Sequence, residues 1–173
     1  LCKIKCSRTR DCMATDTTLT NMEKRAFQLF LAAYSQATRQ VSRDLASRSD
    51  ITLEQYDVLV TLEYCEDYRI RLSELADRVL LSRSGLTRLV DRLESRGLVV
   101  RESCEEDKRG AYAVLTPLGL QARLEAWKIV EGSMNAHFVQ FFETDEELAS
   151  FSRVCRRIAF RGLPNQHPWD TES

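Results

Sequence analysis

Residues 81–97 read LSRSGLTRLVDRLESRG, and this Leu-rich stretch holds four arginines in a chain whose formal net charge is −1. Ser82 is a favourable N-cap, and Gly97 suits the position that follows a helix, so the stretch predicts a helix over about 83–96. One face of this helix is apolar and consists of Leu86, Leu89, Val90 and Leu93. The opposite face carries Ser84, Arg88, Asp91 and Ser95, flanked by Thr87 and Arg92.

Positive charge is concentrated around this helix. Residues 78–101 contain six arginines and two carboxylates, a net charge of +4, so the rest of the chain sums to −5. One interpretation is a solvated helix face on which Arg88 pairs with Asp91. The other is a surface that meets nucleic-acid phosphate, since localised positive charge is the electrostatic footprint of such proteins.

The flanking sequence favours the second interpretation. Before the segment, apolar spacing predicts a first helix over 19–47 and a second from Thr52 onward, with Gln55 completing a capping box. It predicts a third, short helix over 71–79, with Ser73 as cap. After it, residues 98–102 and 111–115 are β-rich and predict a hairpin. Helix, turn, helix and hairpin is the order of a winged helix-turn-helix.

Two helices are predicted beyond the hairpin. Thr116 and Pro117 are typical of a helix start, and apolar spacing continues to about residue 142. A last helix begins near Thr144, with Glu147 as the second half of a capping box. We expect Leu148, Phe151, Cys155 and Ile158 to face inward. The fold class is therefore mainly α with a small β-hairpin wing.

The hairpin loop contains a second basic feature, Asp107, Lys108 and Arg109 followed by Gly110. It can be an ordinary charged turn. Alternatively, Arg109 enters a narrow minor groove, where the negative potential is strongest, and Asp107 orients its guanidinium group.

Composition excludes several classes of protein. No run approaches 18 apolar residues, so no transmembrane helix is predicted. The sequence contains no nucleotide-binding, nucleophile-elbow or metalloprotease motif. It has only two histidines, the residue type that most often serves in general acid–base catalysis. We therefore expect neither an enzyme nor a cofactor. Cys65, Cys104 and Cys155 lie far apart in the sequence and show no C-x-x-C spacing, so we expect no metal site, and reduced thiols in a cytoplasm are the default.

The segment LSELADRVLLSRSGLTRLVDRLESRGLVVRESCEEDKRGAYAVLTPLG, residues 72–119, resembles transcriptional regulators of the MarR (multiple antibiotic resistance regulator) family. The family's wing pattern of D-x-R followed by L-T is matched by Asp107, Arg109, Leu115 and Thr116. The resemblance covers roughly residues 20–160. It implies a sequence-specific regulator of double-stranded DNA, more often a repressor than an activator.

The resemblance assigns roles to particular regions. Residues 48–115 would form the DNA-binding lobe, and residues 19–47 and 116–162 the helices of a homodimer. Residues 1–18 are interpreted as a disordered leader, with a basic arm that touches DNA as the alternative, and residues 163–173 as an irregular tail.

The recognition-helix candidates are Ser82, Arg83, Ser84, Thr87, Arg88 and Arg92, and the wing candidates are Asp107, Lys108 and Arg109. A two-fold dimer implies a pseudo-palindromic operator.

Many members of the family bind small aromatic or phenolic effectors beside the DNA lobe. The candidates here are Phe30, Tyr34, Tyr56 and Trp127, with ordinary core packing as the alternative. Two other functions stay open: a winged-helix interaction module without DNA binding, and a thiol-based redox regulator using Cys65, Cys104 or Cys155. The first helix lacks the cysteine that oxidant-sensing relatives use, which disfavours the redox function.

Overall fold

The computed structural model describes residues 18–79, 83–103 and 110–159, and the side chains of Arg83 and Ser84 lie outside that description. The chain divides into two compact units, one ending at Ser35 and the other beginning at Gln36. The helices are α1 (Asn21–Arg48), α2 (Leu53–Glu63), α3 (Leu72–Arg78), α4 (Arg83–Ser95), α5 (Pro117–His137) and α6 (Asp145–Ala159). The strands are β1 (Arg69–Arg71), β2 (Val99–Ser103) and β3 (Ala111–Leu115).

The predicted start of α2 is confirmed. The Thr52 hydroxyl accepts a hydrogen bond from the Gln55 backbone N–H, and the Gln55 side chain accepts one from the Thr52 backbone N–H. The predicted cap of α3 is wrong, because Arg71 occupies the N-cap position without a side-chain bond and Ser73 lies inside the helix. Strand β1 leads directly into α3 and leaves no loop residue to serve as a side-chain cap.

Helix α4 ends as the sequence predicts. Gly97 has φ +69°, a left-handed conformation that glycine adopts without strain. Its N–H donates to the Glu94 carbonyl, and the Leu98 N–H donates to the Leu93 carbonyl. These two bonds form a Schellman motif, which ends the helix and turns the chain into β2. The proposed N-cap, Ser82, lies outside the described residues.

The sheet has three strands in the order β1-β3-β2, all antiparallel. Strands β2 and β3 form the predicted hairpin, with Val99 opposite Leu115 and Ser103 opposite Ala111. Strand β1 was not predicted, because three residues reading Arg-Ile-Arg carry too short a pattern to identify a strand. Ile70 is its buried residue, and it pairs with Ala113 of β3.

Helix α5 begins as predicted and ends earlier. The Thr116 hydroxyl accepts from the Gly119 N–H, and Pro117 occupies the first turn. The helix stops at His137, not near 142, because Phe138 leaves the helical conformation and a 3₁₀ turn follows at Val139–Phe141. The predicted length of about 26 residues is therefore wrong.

Packing of aromatic rings accompanies this early end. The rings of Phe138, Phe142 and Phe151 lie with centroids 5.1–5.6 Å apart, at angles typical of favourable aromatic contacts. The Thr144 hydroxyl caps α6 through the Glu147 N–H, as predicted, while the Glu147 carboxylate reaches the Glu143 N–H rather than that of Thr144.

The core of the second unit lies between α2, the inner face of α4, the sheet and α5. Its largest fully buried side chains include Leu45, Leu59, Leu62, Leu75 and Leu93. The buried side chains of α5 are not all apolar, and the predicted inward face of α6 differs from the structure. On α5 the buried residues include Arg123 and Ser133, whereas Leu124 is exposed. On α6 no described residue is buried, and Phe151 and Ile158 are exposed rather than inward.

Candidate nucleic-acid interface and cavity

Helix α4 is anchored by the apolar face that its spacing predicts. The four side chains of that face are at most 6% exposed: Leu86, Leu89, Val90 and Leu93. Each such burial contributes about 1.5–3 kcal/mol to folding. The helix contacts α2, α3 and β2 through this face, so its opposite face is held outward.

The outward face of α4 is basic. Thr87, Arg88 and Arg92 are exposed. Within the described residues, neither Arg88 nor Arg92 makes a side-chain ion pair or hydrogen bond. Arg83 belongs to the same helix, as does Ser84, but their side chains are not described, and Ser82 lies outside the description altogether.

The carboxylates of α4 are occupied by an arginine from β2. Arg101 Nη2 lies 2.5 Å from Asp91 Oδ1, and Arg101 Nη1 lies 2.7 Å from Glu94 Oε2. Arg101 Nη2 also donates to the Thr87 carbonyl at 3.3 Å. The interpretation in which Asp91 pairs with Arg88 is therefore wrong, because Asp91 is turned toward β2.

The other arginines of residues 78–101 also divide by role. Arg78 pairs with Glu74 at 2.7 Å, and Arg96 donates to the Asp50 carbonyl at 2.8 Å. Like Arg101, these side chains are engaged by groups of the lobe itself. The charge surplus that remains for a partner, among the side chains described, is that of Arg88 and Arg92.

The wing candidates Asp107, Lys108 and Arg109 lie outside the described residues, as does Cys104. The structure describes the two strands that flank them, up to the Ser103–Ala111 pair next to the loop. The role of Arg109 stays a prediction.

A cavity of about 320 Å³ lies between the second half of α1, α2 and α5. That volume lies within the range of small-molecule sites. Its walls are mostly apolar, and they include Val41, Leu53, Tyr56, Trp127, Val130, Met134 and Phe138. Tyr56 and Trp127, two of the four predicted effector residues, meet in this cavity. Phe30 and Tyr34 belong to the unit that ends at Ser35, where both are exposed.

The polar groups of the cavity are few. Asp57, Ser133, His137 and Thr38 contribute them, together with the Tyr56 hydroxyl. Asp57 is exposed to solvent, yet partial desolvation by the neighbouring protein raises the pKa of its carboxyl group to about 6, with a smaller contribution from Glu54. Burial raises the pKa of Tyr56 to about 12, so its hydroxyl stays neutral.

A buried ion pair lies next to the aromatic wall. Arg123 Nε is 2.5 Å from Glu63 Oε2, in a contact that lacks hydrogen-bond alignment, and both side chains are largely buried. The Arg123 guanidinium also lies 5.7 Å from the Trp127 ring centroid. Sequence reasoning missed this pair, because Glu63 and Arg123 occur 60 positions apart and look like ordinary surface charges.

Asp57, Ser133 and His137 were also missed as cavity residues. A single Asp, Ser or His within a helical pattern gives no signal of the face it occupies. Their positions follow from how α2 and α5 pack against α1, which residue spacing within one helix does not fix.

The described thiols are poorly activated. Cys65 donates to the Thr61 carbonyl at 3.1 Å, and burial raises the pKa of both Cys65 and Cys155. A raised pKa lowers the thiolate fraction, which is the reactive form. The described thiols therefore do not favour a redox regulator.

Two further searches cover the described parts of the chain. Residues 18–79, 83–103 and 110–159 hold no cluster of three or more His, Cys, Asp or Glu side chains arranged to ligate a metal ion. None of the helices in these ranges has the length and apolarity to cross a membrane.

A winged helix-turn-helix with a basic, outward-facing second helix defines a class of DNA-binding regulators. Residues 49–110 match the sequence profile of the MarR family. The structure superposes on AbsC, a MarR family transcriptional regulator of Streptomyces coelicolor, with a TM-score of 0.73 and 33% identity, covering 83% of this chain and 96% of that one. The protein belongs to the MarR family.

Other relatives agree with this assignment. Sco3205, a MarR family regulator of Streptomyces coelicolor solved in complex with DNA, gives a TM-score of 0.78 at 26% identity over 90% of this chain and 96% of that one. The transcriptional repressor MprA of Escherichia coli is 39% identical over 61 residues, 35% of each protein. An uncharacterised HTH-type regulator of Bacillus cereus is 31% identical over 74 residues, 43% of this chain. The match spans about half of that relative, 49% of its length.

Proposed function

We propose that this protein is a homodimeric, sequence-specific regulator that binds double-stranded DNA in the cytoplasm and represses transcription until a small molecule releases it. The observation that carries the proposal is the pair of exposed arginines, Arg88 and Arg92, on a helix whose own carboxylates are held by Arg101. A helix of this kind fits the major groove, where arginine pairs bidentately with guanine.

The remaining contacts follow from the same docking. Ser82, Arg83, Ser84 and Thr87 lie at or near the α4 N-terminus, where polar side chains and the helix dipole favour phosphate. Arg109 of the wing would enter the adjacent minor groove, with Asp107 orienting it and Lys108 near the backbone.

Exposed apolar side chains support a homodimer. The first half of α1 exposes Met22 at 77%, together with Phe27, Leu29, Phe30, Leu31 and Tyr34. Helix α6 exposes Ile158 at 62%, together with Phe151 and Val154. Surfaces of this kind mark protein–protein interfaces. A two-fold dimer would read half-sites about 10 base pairs apart.

The cavity supports release by a small molecule. It is lined by α1 and α5, from the proposed dimer helices, and by α2, which contacts α4. A ligand that favours one arrangement of these helices changes the DNA affinity of α4 by its differential affinity for the two arrangements. This chemistry requires no catalytic group, so we propose a regulator rather than an enzyme.

Fluorescence anisotropy with labelled DNA from the protein's own promoter region tests the proposal. Wild type, Arg88→Ala and Arg92→Ala are compared at two salt concentrations, with random DNA of equal length alongside. Lys128→Ala, which removes an exposed cation from α5, is the matched control. We expect tight, salt-sensitive binding to promoter DNA, a loss of about 5- to 100-fold in each arginine variant, and no change in the control.

The alternative function is a winged-helix module that binds another protein. Equal affinity for promoter and random DNA, unchanged in both arginine variants, would favour that alternative and remove the DNA-binding assignment of α4. Loss of affinity in Lys128→Ala equal to that in Arg88→Ala would indicate a general charge effect.

A further inference from the structure

A solvent-exposed carboxylate without a counter-charge lines the cavity that Tyr56 and Trp127 form. Asp57 lines it, and within the described residues its carboxyl group makes no ion pair and no side-chain hydrogen bond. The charge that acts on it is another carboxylate, Glu54, which raises its pKa further. Apolar walls beside an uncompensated carboxylate favour a ligand that combines a positive charge with an apolar body.

A second group in the cavity also lacks a partner. Ser133 is 2% exposed, lines the cavity, and its hydroxyl finds no hydrogen-bond partner among the described residues. Leaving a buried hydroxyl without a hydrogen-bond partner costs about 1–3 kcal/mol of folding free energy. A ligand or a water molecule that bonds to Ser133 would remove this cost. Ser133 and Asp57 come from different helices, α5 and α2, so they are independent observations about the same space.

The basic side chains around the cavity already have acidic neighbours. His137 Nε2 lies 3.6 Å from Asp44 Oδ2, and Arg123 lies against Glu63 beyond the aromatic wall. No described arginine or lysine lines the cavity. An anionic ligand would therefore meet Asp57 without a free cation to balance it.

We propose that this cavity binds a small aromatic or apolar ammonium ion, whose charge pairs with Asp57 while its apolar body packs on Tyr56 and Trp127. Ser133 accepts a hydrogen bond from the ligand, and the aromatic walls attract its cationic head. The proposal rests on the proposed function for the consequence of binding, release from DNA. It departs from the phenolic effectors that the family resemblance implies, because the ligand is a cation.

Isothermal titration calorimetry on the full chain tests the charge preference directly. The probes are 2-phenylethylammonium and 3-phenylpropanoate, which share a phenylethyl body and differ in the sign of the charge. The titrations are run at pH 8, where Asp57 is ionised. We expect the ammonium ion to bind at least tenfold more tightly than the carboxylate.

Variants locate the site. Asp57→Asn should weaken ammonium binding at least tenfold, and Ser133→Ala should weaken it several-fold. Glu131→Gln removes an exposed carboxylate of α5 that does not line the cavity, and it should bind like wild type. Circular dichroism confirms that each variant is folded.

Three results would overturn the proposal: tighter binding of the carboxylate, ammonium binding that Asp57→Asn leaves unchanged, or heat of binding from neither probe at millimolar concentration. Because calorimetry does not involve DNA, these results are distinct from failure of the DNA-binding proposal. If the protein binds the ammonium ion through Asp57 but does not bind promoter DNA, the ligand site stands and its proposed role in regulation does not.

Discussion

Arg101 Nη2 lies 2.5 Å from Asp91 Oδ1, and this contact joins the strand that leads into the wing to the helix that carries the exposed arginines. Glu94 takes the other end of the same guanidinium group. Two carboxylates that would reduce the positive charge of α4 are thereby neutralised from within the lobe. The same side chain fixes the position of β2 relative to α4.

A double-mutant cycle measures this coupling. Arg101→Ala, Asp91→Ala and the double variant should give an interaction free energy of about 1 kcal/mol, because the pair is only partly buried and solvent screens it. Urea unfolding at low and high salt provides the measurement. Additive effects of the two single changes would show that the contact contributes nothing to stability.

Two glycines of α5, Gly119 and Gly132, differ in how closely the rest of the protein packs against them. A Cβ at Gly119 would overlap the Leu98 carbonyl oxygen and lie 2.8 Å from Leu115 Cδ1, whereas at Gly132 nothing described lies within 4 Å. Gly119→Ala should therefore destabilise the protein by about 2 kcal/mol or more, since a backbone carbonyl cannot move aside. Gly132→Ala should stabilise it by about 0.5–1 kcal/mol through helix propensity.

Urea unfolding of both glycine variants at the same protein concentration checks this pair. Similar stability changes of the same sign would contradict the close approach of α5 to Leu98.

Asp57 should make stability depend on pH. Its pKa is raised from 3.8 to about 6 in the folded state, so the folded protein holds this proton more tightly than the unfolded chain does. The resulting stabilisation is complete below pH 3.8 and is lost as the pH rises through 6. Asp57→Asn should therefore be more stable than wild type at pH 8, and the difference should shrink as the pH falls toward 4.

Unfolding midpoints at pH 4, 6 and 8 test that dependence, with Glu131→Gln as the control for loss of a carboxylate. A difference between wild type and Asp57→Asn that stays constant across this range would show that the Asp57 pKa is not raised.

Replacing one residue of the buried Glu63–Arg123 pair should destabilise the protein more than replacing both. Removing one partner leaves the other buried charge uncompensated. Glu63→Leu alone should therefore lower the free energy of unfolding by about 3–5 kcal/mol. Glu63→Leu combined with Arg123→Met removes both charges at similar volume and should recover most of that loss. Thermal unfolding of wild type and these two variants provides the measurement, and a double variant no more stable than Glu63→Leu would contradict a buried, desolvated pair.

Much of the fold was predictable because it depends on neighbours along the chain. The Thr52–Gln55 capping box, the Thr116 cap and the Gly97 C-terminus each involve residues within five positions of one another. The apolar face of α4 follows from helical spacing in the same way. The end of α5 was missed because it depends on aromatic packing between Phe138 and Phe151 of the next helix.

The amino-acid sequence is enough to predict the order of helices and hairpin, the basic character of α4 and the resemblance to a family of regulators. Which arginines are left exposed and which are paired within the lobe depends on the tertiary structure, because Arg101 meets Asp91 only when β2 folds back on α4. It also brought Asp57 of α2 and Ser133 of α5 to one cavity. Helical spacing fixes a face of each helix, but the packing of several helices fixes which faces meet, and a ligand site belongs to those meeting faces.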